Sequence, residues 1–258
     1  QVGAIFAAIM AAYIIPNFGW NALFLLGIIP VILTFFIRRH VHESQEFIVA
    51  HKKTIANHQR ISVSRLFATP RLALQTLGLM VMTIVQIAGY FGLMNWLPSI
   101  VQKQQGLSVS GSSIWMIATI IGMSIGMMVF GTVMDNWGPR WAFGIFLLGS
   151  ATVMFTILMV QSSIALILSG ALIGFFSNGM FGGYGAVISQ LYPTAIRSTA
   201  NSIIMNVGRA IGGFSSVVIG LLMDHYSLGV TMGFLSALYI LSFMVMSSLP
   251  GMWKLANH

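Results

Sequence analysis

The chain has 258 residues, of which 57% are hydrophobic and 6% charged, and its mean hydropathy is +0.90. Soluble domains carry about a quarter of charged residues, so a water-soluble globular protein is excluded and a polytopic all-helical membrane protein is predicted. The formal charge of +8 does not point to a nucleic-acid partner: residues 38–72 alone hold seven of the twelve basic residues (Arg38, Arg39, Lys52, Lys53, Arg60, Arg65, Arg71) against Glu43 and Glu46, which is how a chain orients itself in a bilayer.

In chain order, Val2 to Ile15 is apolar but short of the ~20 residues that cross the hydrocarbon. Gln1 stands directly before it without a charged leader, so an N-terminally incomplete sequence is expected rather than a signal peptide. Pro16-Asn17-Phe18-Gly19 turns the chain, and Trp20 to Ile37 is a full span that stops at Arg38-Arg39-His40. Residues 38–72 read as a polar linker with short amphipathic helices around Phe47, Ile48, Ile61 and Phe67. Six further spans are predicted at 73–97, 111–133, 141–160, 163–190, 198–222 and 228–249, and 251–258 reads as a tail. Short connections make sequential spans antiparallel neighbours.

Placing 38–72 inside the cell puts ten basic residues there, with Arg140, Arg197 and Lys254, against Lys103 outside. The positive-inside rule therefore selects a cytoplasmic linker and C-terminus, as expected of a plasma-membrane protein. Trp20, Trp96 and Trp115 are expected at the outer interface and Trp137, Trp141 and Trp253 at the inner one. Small residues four apart (Gly122 and Gly126, Gly170 and Gly174, Gly179 and Gly183, Gly208 and Gly212, Ser216 and Gly220) predict close helix packing. The chain has no cysteine, so neither disulfides nor thiolate metal sites arise. His40-x-His42-Glu43 lacks the second pair a zinc site needs, and no metal or cofactor is expected.

Two loops carry a family pattern. Gly131-Thr132-Val133-Met134-Asp135-Asn136-Trp137-Gly138-Pro139-Arg140 resembles the short cytoplasmic loop signature of the major facilitator superfamily, although Asn136 replaces a common arginine and Pro139 interrupts the glycine-basic run. Pro193-Thr194-x-x-Arg197, two spans later, resembles the matching loop of that superfamily's organic-ion symporters. Asn206-Val207-Gly208-Arg209-Ala210-Ile211-Gly212-Gly213 is most similar to the eleventh helix of metabolite:proton symporters for sialic acid and aromatic acids. Those often carry a glycine at the place of Asn206 and a proline where Phe214-Ser215 stands here. The resemblance implies twelve helices in two halves. Residues 1–37 would then be the end of the N-terminal half (part of helix 5, then helix 6), 38–72 the linker, and 73–250 the C-terminal six-helix half. It also implies substrate binding near the midplane between inverted repeats.

Arg209 is the leading binding candidate, because a guanidinium in a low-dielectric cavity holds a carboxylate through a two-pronged fork; the alternative is a fixed structural cation. Asn206 and Asn201 share much of its helical face. Thr83, Gln86 and Tyr90 form a polar stripe on one helix, either lining a cavity or bonding between helices. Asn178 and Tyr184 are weaker substrate-binding candidates, on different faces of their helix. Asp135, Arg140 and Arg197 suit a gate at helix ends or serve as topology charges, and Asp224, beside His225, reads as solvated. No Asp or Glu falls within a complete span, so coupling carboxylates are expected in segments outside this sequence.

Together with the resemblance, these readings predict a secondary transporter of a small organic anion, coupled to protons and embedded in the lipid bilayer, with this portion expected to be inactive alone. A scaffold or transporter remnant, or a carrier of a neutral or cationic molecule, stays open. An intramembrane enzyme would need paired carboxylates, a Ser-Lys dyad or a His-Glu-His pattern in the spans, and the sequence offers none.

Overall fold

The structure, a computed structural model, describes residues 27–40, 63–105, 109–160 and 162–254, with isolated positions before residue 27. It divides into two compact units, Gln1–Ile61 and Ser62–His258. In the first, a helix α1 (Ile28–His40) ends at the basic Arg38-Arg39-His40. Most of the expected Val2–Ile15 helix, Trp20, and the part of the linker with Glu43, Phe47 and the histidines His42, His51 and His58 lie outside the described residues.

The second unit opens with a 3-10 turn at Val63–Phe67 and continues through α2 (Pro70–Gln105), α3 (Val109–Trp137), α4 (Pro139–Val153), α5 (Thr156–Met159), α6 (Ser163–Gly179), α7 (Phe181–Leu191), α8 (Thr194–Gly212), α9 (Ser215–His225), α10 (Leu228–Ser248) and α11 (Pro250–Lys254). These assemble six helices long and apolar enough to cross a membrane, at Pro70–Trp96, Ile114–Trp137, Pro139–Met159, Ile164–Leu191, Thr194–His225 and Leu228–Ser248. The protein is thus an all-α membrane protein. The bounds fall close to those expected from hydropathy because spans end where polar residues and turn formers interrupt the apolar runs. Gly138 makes the sharpest turn, at φ +83°, where an L side chain would be strained. Pro139 follows as the first helical residue of α4, a position that needs no amide donor.

Three spans are broken: at Met154–Phe155 between α4 and α5, at Met180 between α6 and α7, and at Gly213–Phe214 between α8 and α9. The dominant packing partners are α3 with α6, α2 with α8, and α4 with α10. In span order these are second with fourth, first with fifth, and third with sixth. Exchanging spans one to three for four to six maps this set of pairs onto itself, as two repeats of three helices require.

Glycine permits the tightest contacts. A Cβ on Gly179 would stand 2.8 Å from the Gly126 backbone, and one on Gly212 would stand 2.7 Å from the Ile84 carbonyl oxygen and 3.0 Å from the Ala88 amide. In lipid, where hydrophobic drive between helices is weak, such close approach supplies the packing. Ile114, Ile117, Ile121, Ile125 and Met128 form an exposed stripe on α3, the spacing of a lipid-facing helix surface. Around Phe130, edge-to-face rings join α3 to α4, with centroids 5.0 Å from Phe143 and 5.1 Å from Phe146.

Trp115, expected at the outer interface, is fully buried, with its ring close against Gly170. The glycine leaves room for an indole inside the bundle, and packing there replaces the interfacial role. Residues 250–254 form a short helix that buries Met252. At the same end, Tyr192 is buried and its hydroxyl lies 2.7 Å from that of Thr76, which itself donates to the Leu72 carbonyl at 2.8 Å. Tyr192 therefore donates, and burial raises its pKa above the ordinary phenol value, partly offset by Thr76 and Gln75.

Gly212→Ala places a methyl against backbone rather than a movable side chain, so it should cost about 1–3 kcal/mol. A thermal unfolding midpoint in detergent equal to wild type would show that the α2–α8 contact relaxes freely.

Candidate functional site

Helix α8 is the most amphipathic of the membrane-crossing helices. Ile196, Ala200, Ile204, Gly208 and Gly212 form its buried face and pack on α2, where Gly208 meets Thr83 and Ile87. The opposite face carries Ser198, Ser202, Asn206 and Arg209, all exposed in this unit, with Arg197 and Asn201 half-buried. Arg209 lies fifteen residues past Thr194 and sixteen before His225, the middle of its span. A guanidinium at that depth is costly against lipid and is normally found facing protein or water. Tyr90 on α2 is also exposed, its ring edge-on to Phe91.

Other expected site residues lie inside the bundle. Thr83 is buried and donates to the Met80 carbonyl at 2.9 Å, with the Ile204 carbonyl of α8 at 3.2 Å. Gln86 is buried and donates through Nε2 to the Ser177 carbonyl at 2.7 Å, with Asn178 Oδ1 at 3.5 Å. Ser177 sits in the last turn of α6, whose carbonyls have no helical amide to accept from, so Gln86 caps the broken helix from a neighbouring one. Asn178 is buried beside it, and Tyr184 donates to the Met82 carbonyl at 3.2 Å. The stripe Thr83-Gln86-Tyr90 therefore separates into two internal residues and one on the exposed side. Asn201 Oδ1 and Arg197 Nε are buried without a hydrogen-bond partner.

The other two breaks are also bonded to a neighbouring helix, the first by a cap on the last turn and the third through the first turn of α9. Ser236 of α10 donates to the Ala151 carbonyl in the last turn of α4 at 2.8 Å. Across the third break, Ser215 donates to the Ala88 carbonyl at 2.9 Å, and Ser216 receives Asn95 Nδ2 on its hydroxyl at 3.0 Å and Trp96 Nε1 on its carbonyl at 2.7 Å. Sequence reasoning named Ser216 only as a small packing residue and Ser215 only as a departure from the family pattern, and singled out none of Ser177, Ser236, Tyr239 or Ser242. Their signal was a polar residue inside an apolar run, which alone does not separate a bonding role from a tolerated serine.

Asp135 is exposed in the last turn of α3, while Arg140 and Arg197 are half-buried in the first turns of α4 and α8. All three stand at the end of the bundle where Gly138 and Pro193 turn the chain. Asp224 is exposed at the other end of α9, beside His225. Among the described residues, no three His, Cys, Asp or Glu side chains come together as a metal site.

Replacing Gln86 by Leu keeps its volume and leaves the Ser177 carbonyl unpaired, so stability should fall by about 1–3 kcal/mol. Thermal unfolding of the variant in detergent measures it, and no loss would mean that the carbonyl finds another donor.

The profile of the Major Facilitator Superfamily matches residues 1–125 and 79–253. A Haemophilus influenzae protein named as a candidate metabolite transport protein is 36% identical over 247 residues, covering 93% of this chain and 60% of that protein. The sialic acid transporter NanX of Escherichia coli is 28% identical over 256 residues, covering 94% of this chain and 60% of its own length. A citrate-proton symporter of Klebsiella pneumoniae is 26% identical over 225 residues, covering 84% and 49% respectively. The chain thus spans about half to three-fifths of the length of these relatives, which are named as transporters and not as enzymes. With six membrane-crossing helices paired as two repeats of three and a profile match along nearly its whole length, the chain belongs to the major facilitator superfamily.

Proposed function

We propose that the protein is a secondary active transporter of a small organic anion, working by alternating access as a proton symporter in the plasma membrane. The observation that carries this reading is Arg209, at mid-span on a polar helix face that the packed unit leaves uncovered. A carboxylate would take two hydrogen bonds from its guanidinium fork in a water-poor cavity. Asn206 and Asn201, on neighbouring turns of the same face, orient the arginine or the substrate, and Tyr90 contributes an aromatic wall. Gln86, Thr83, Asn178 and Tyr184 support that face from inside through the bonds that fix α2 against α6, α7 and α8.

Relatives named for sialic acid and for citrate with protons carry carboxylates, which favours an anionic substrate here. The coupling carboxylates then lie in segments beyond this sequence, because the spans described here hold carboxylates only at their ends, Asp135 and Asp224. Residues 38–72 and the C-terminus face the cytoplasm by the basic-residue count, which puts Asp135, Arg140 and Arg197 at the inner mouth as gate residues. The reading divides the chain into the end of an N-terminal half (1–37), a linker (38–72), a six-helix C-terminal half (73–250) and a tail.

The test is uptake of labelled carboxylates by the full-length transporter in proteoliposomes. Arg209→Gln should lower kcat/KM roughly thirtyfold, equivalent to about 2 kcal/mol, with Arg209→Lys in between because it keeps the charge and loses the fork. Unchanged kinetics in both variants would remove the anion-binding role. Proton coupling is checked separately by imposing a pH gradient, acidic outside. Faster uptake is expected, and indifference to the gradient would leave a uniporter or exchanger.

A further inference from the structure

Six polar side chains from four helices meet in the middle of the bundle, apart from the exposed face of α8. Gln86 comes from α2, Ser177 and Asn178 from α6, Tyr184 from α7, and Tyr239 and Ser242 from α10, and none is more than 1% exposed. Gln86 Nε2 reaches Asn178 Oδ1 at 3.5 Å, and Ser177 neighbours Tyr239 outside hydrogen-bond geometry. Tyr184 in turn neighbours Tyr239 and Ser242. The Tyr239 hydroxyl also lies directly over Gly89, one turn beyond Gln86 on α2, and a larger residue there would displace it.

Within this cluster four buried atoms have no hydrogen-bond partner: Gln86 Oε1, Asn178 Nδ2, Tyr239 Oη and Ser242 Oγ. Reversing the amides does not remove the problem. Turning Gln86 over would set its oxygen against the Ser177 carbonyl oxygen it now bonds, and turning Asn178 over would set two NH2 groups against each other. The other buried polar groups of the cluster are occupied: Ser177 donates to the Ile173 carbonyl, Tyr184 to the Met82 carbonyl, and Gln86 Nε2 to the Ser177 carbonyl.

The chemistry of the orphans identifies what completes them. Gln86 Oε1 needs a donor, Asn178 Nδ2 needs an acceptor, and the two hydroxyls take either. A metal cation is disfavoured, since the cluster has no carboxylate to balance a charge in low dielectric and points an amide NH2 inward. An anion is disfavoured equally, because no arginine, lysine or histidine belongs to the cluster. A neutral molecule that both donates and accepts satisfies all four, and buried waters bridge otherwise unsatisfied groups in this manner.

We infer that the Gln86–Asn178–Tyr239–Ser242 cluster is an internal water-binding site, at which at least one ordered water joins α2, α6 and α10 beside the break at Met180. Water-mediated bonds form and exchange at little enthalpic cost. The broken span can therefore change its angle against α2 and α10 without stranding a polar group in hydrocarbon. Because the cluster lies inside one six-helix unit, the inference does not depend on which molecule the protein carries.

Tyr239→Phe and Ser242→Ala, in the full-length protein, separate a bridged cluster from a dry one. A hydroxyl that bonds a bridging water is lost at a cost, so each variant should lower the thermal unfolding midpoint in detergent by about 2–4 °C. A hydroxyl buried dry and unpaired is better replaced by an apolar group, so midpoints unchanged or raised in both variants would overturn the proposal. Cryo-electron microscopy of the wild type gives an independent readout that needs no variant to fold. A density peak within hydrogen-bond reach of Tyr239 Oη and Gln86 Oε1 is expected. A map that resolves ordered waters elsewhere in the bundle and none at this cluster would overturn the proposal as well.

Discussion

In hydrocarbon no solvent is present to take up a carbonyl that the helix ladder has released, and this fold releases carbonyls at three places within its spans. At two of them a neighbouring helix bonds the last turn, Ser236 that of α4 and Gln86 that of α6; at the third, Asn95 and Trp96 fasten the first turn of α9 to α2. The breaks are thus joints fastened to a neighbouring helix by side-chain hydrogen bonds. Helix α2 serves two of the three, and it also seats α8 through Thr83 and the glycine contacts at Gly208 and Gly212. The position of Arg209 follows from that seating, because the apolar face of α8 packs chiefly on α2 and the polar face points away from it.

Two groups of polar residues in the spans have different physical roles. The exposed group, Tyr90, Asn206 and Arg209, with Asn201 at its edge, carries the charge. The interior group, Thr83, Gln86, Asn178 and Tyr184, is neutral and closely packed. Neutrality matters there, since hydroxyls and amides can exchange partners among themselves while a buried charge would hold one arrangement at high cost if separated from its counter-ion.

Much of the architecture was legible in the linear sequence because lipid leaves few options. Long apolar runs ended by Pro193, Gly138 and Ser227 define spans without knowledge of their neighbours, and small residues at spacing four mark faces of close approach. What the linear pattern lacked was the identity of partners. Thr83, Gln86 and Tyr90 fall on one stripe by spacing, yet the bundle turns the first two inward and leaves the third outside, because α6 and α8 cover different parts of α2. Trp115 stands at a span end, as expected, but its packing was hidden for a similar reason. Its place near a span end suits an interfacial ring, but Gly170, fifty-five residues away in the chain, opens a slot that takes the indole inside. The breaks at Met154 and Met180 had no proline to announce them, and the side chains that bond them come from other helices.

The separation of these bonding pairs along the chain bears on how the protein is made. Gln86 meets Ser177 after a gap of 91 residues, and Thr83 meets Ile204 after 121. At ribosomal speeds of about 5–20 residues per second, the first span waits roughly 5–25 seconds in or near the translocation machinery before its polar partners emerge. During that interval its glutamine has no carbonyl to bond and its glycines have no helix to receive. The swapped pairing of the two repeats therefore delays assembly until the fourth and fifth spans arrive, making the interval after synthesis of α2 the period when the nascent chain most depends on cellular factors that shelter a half-polar helix.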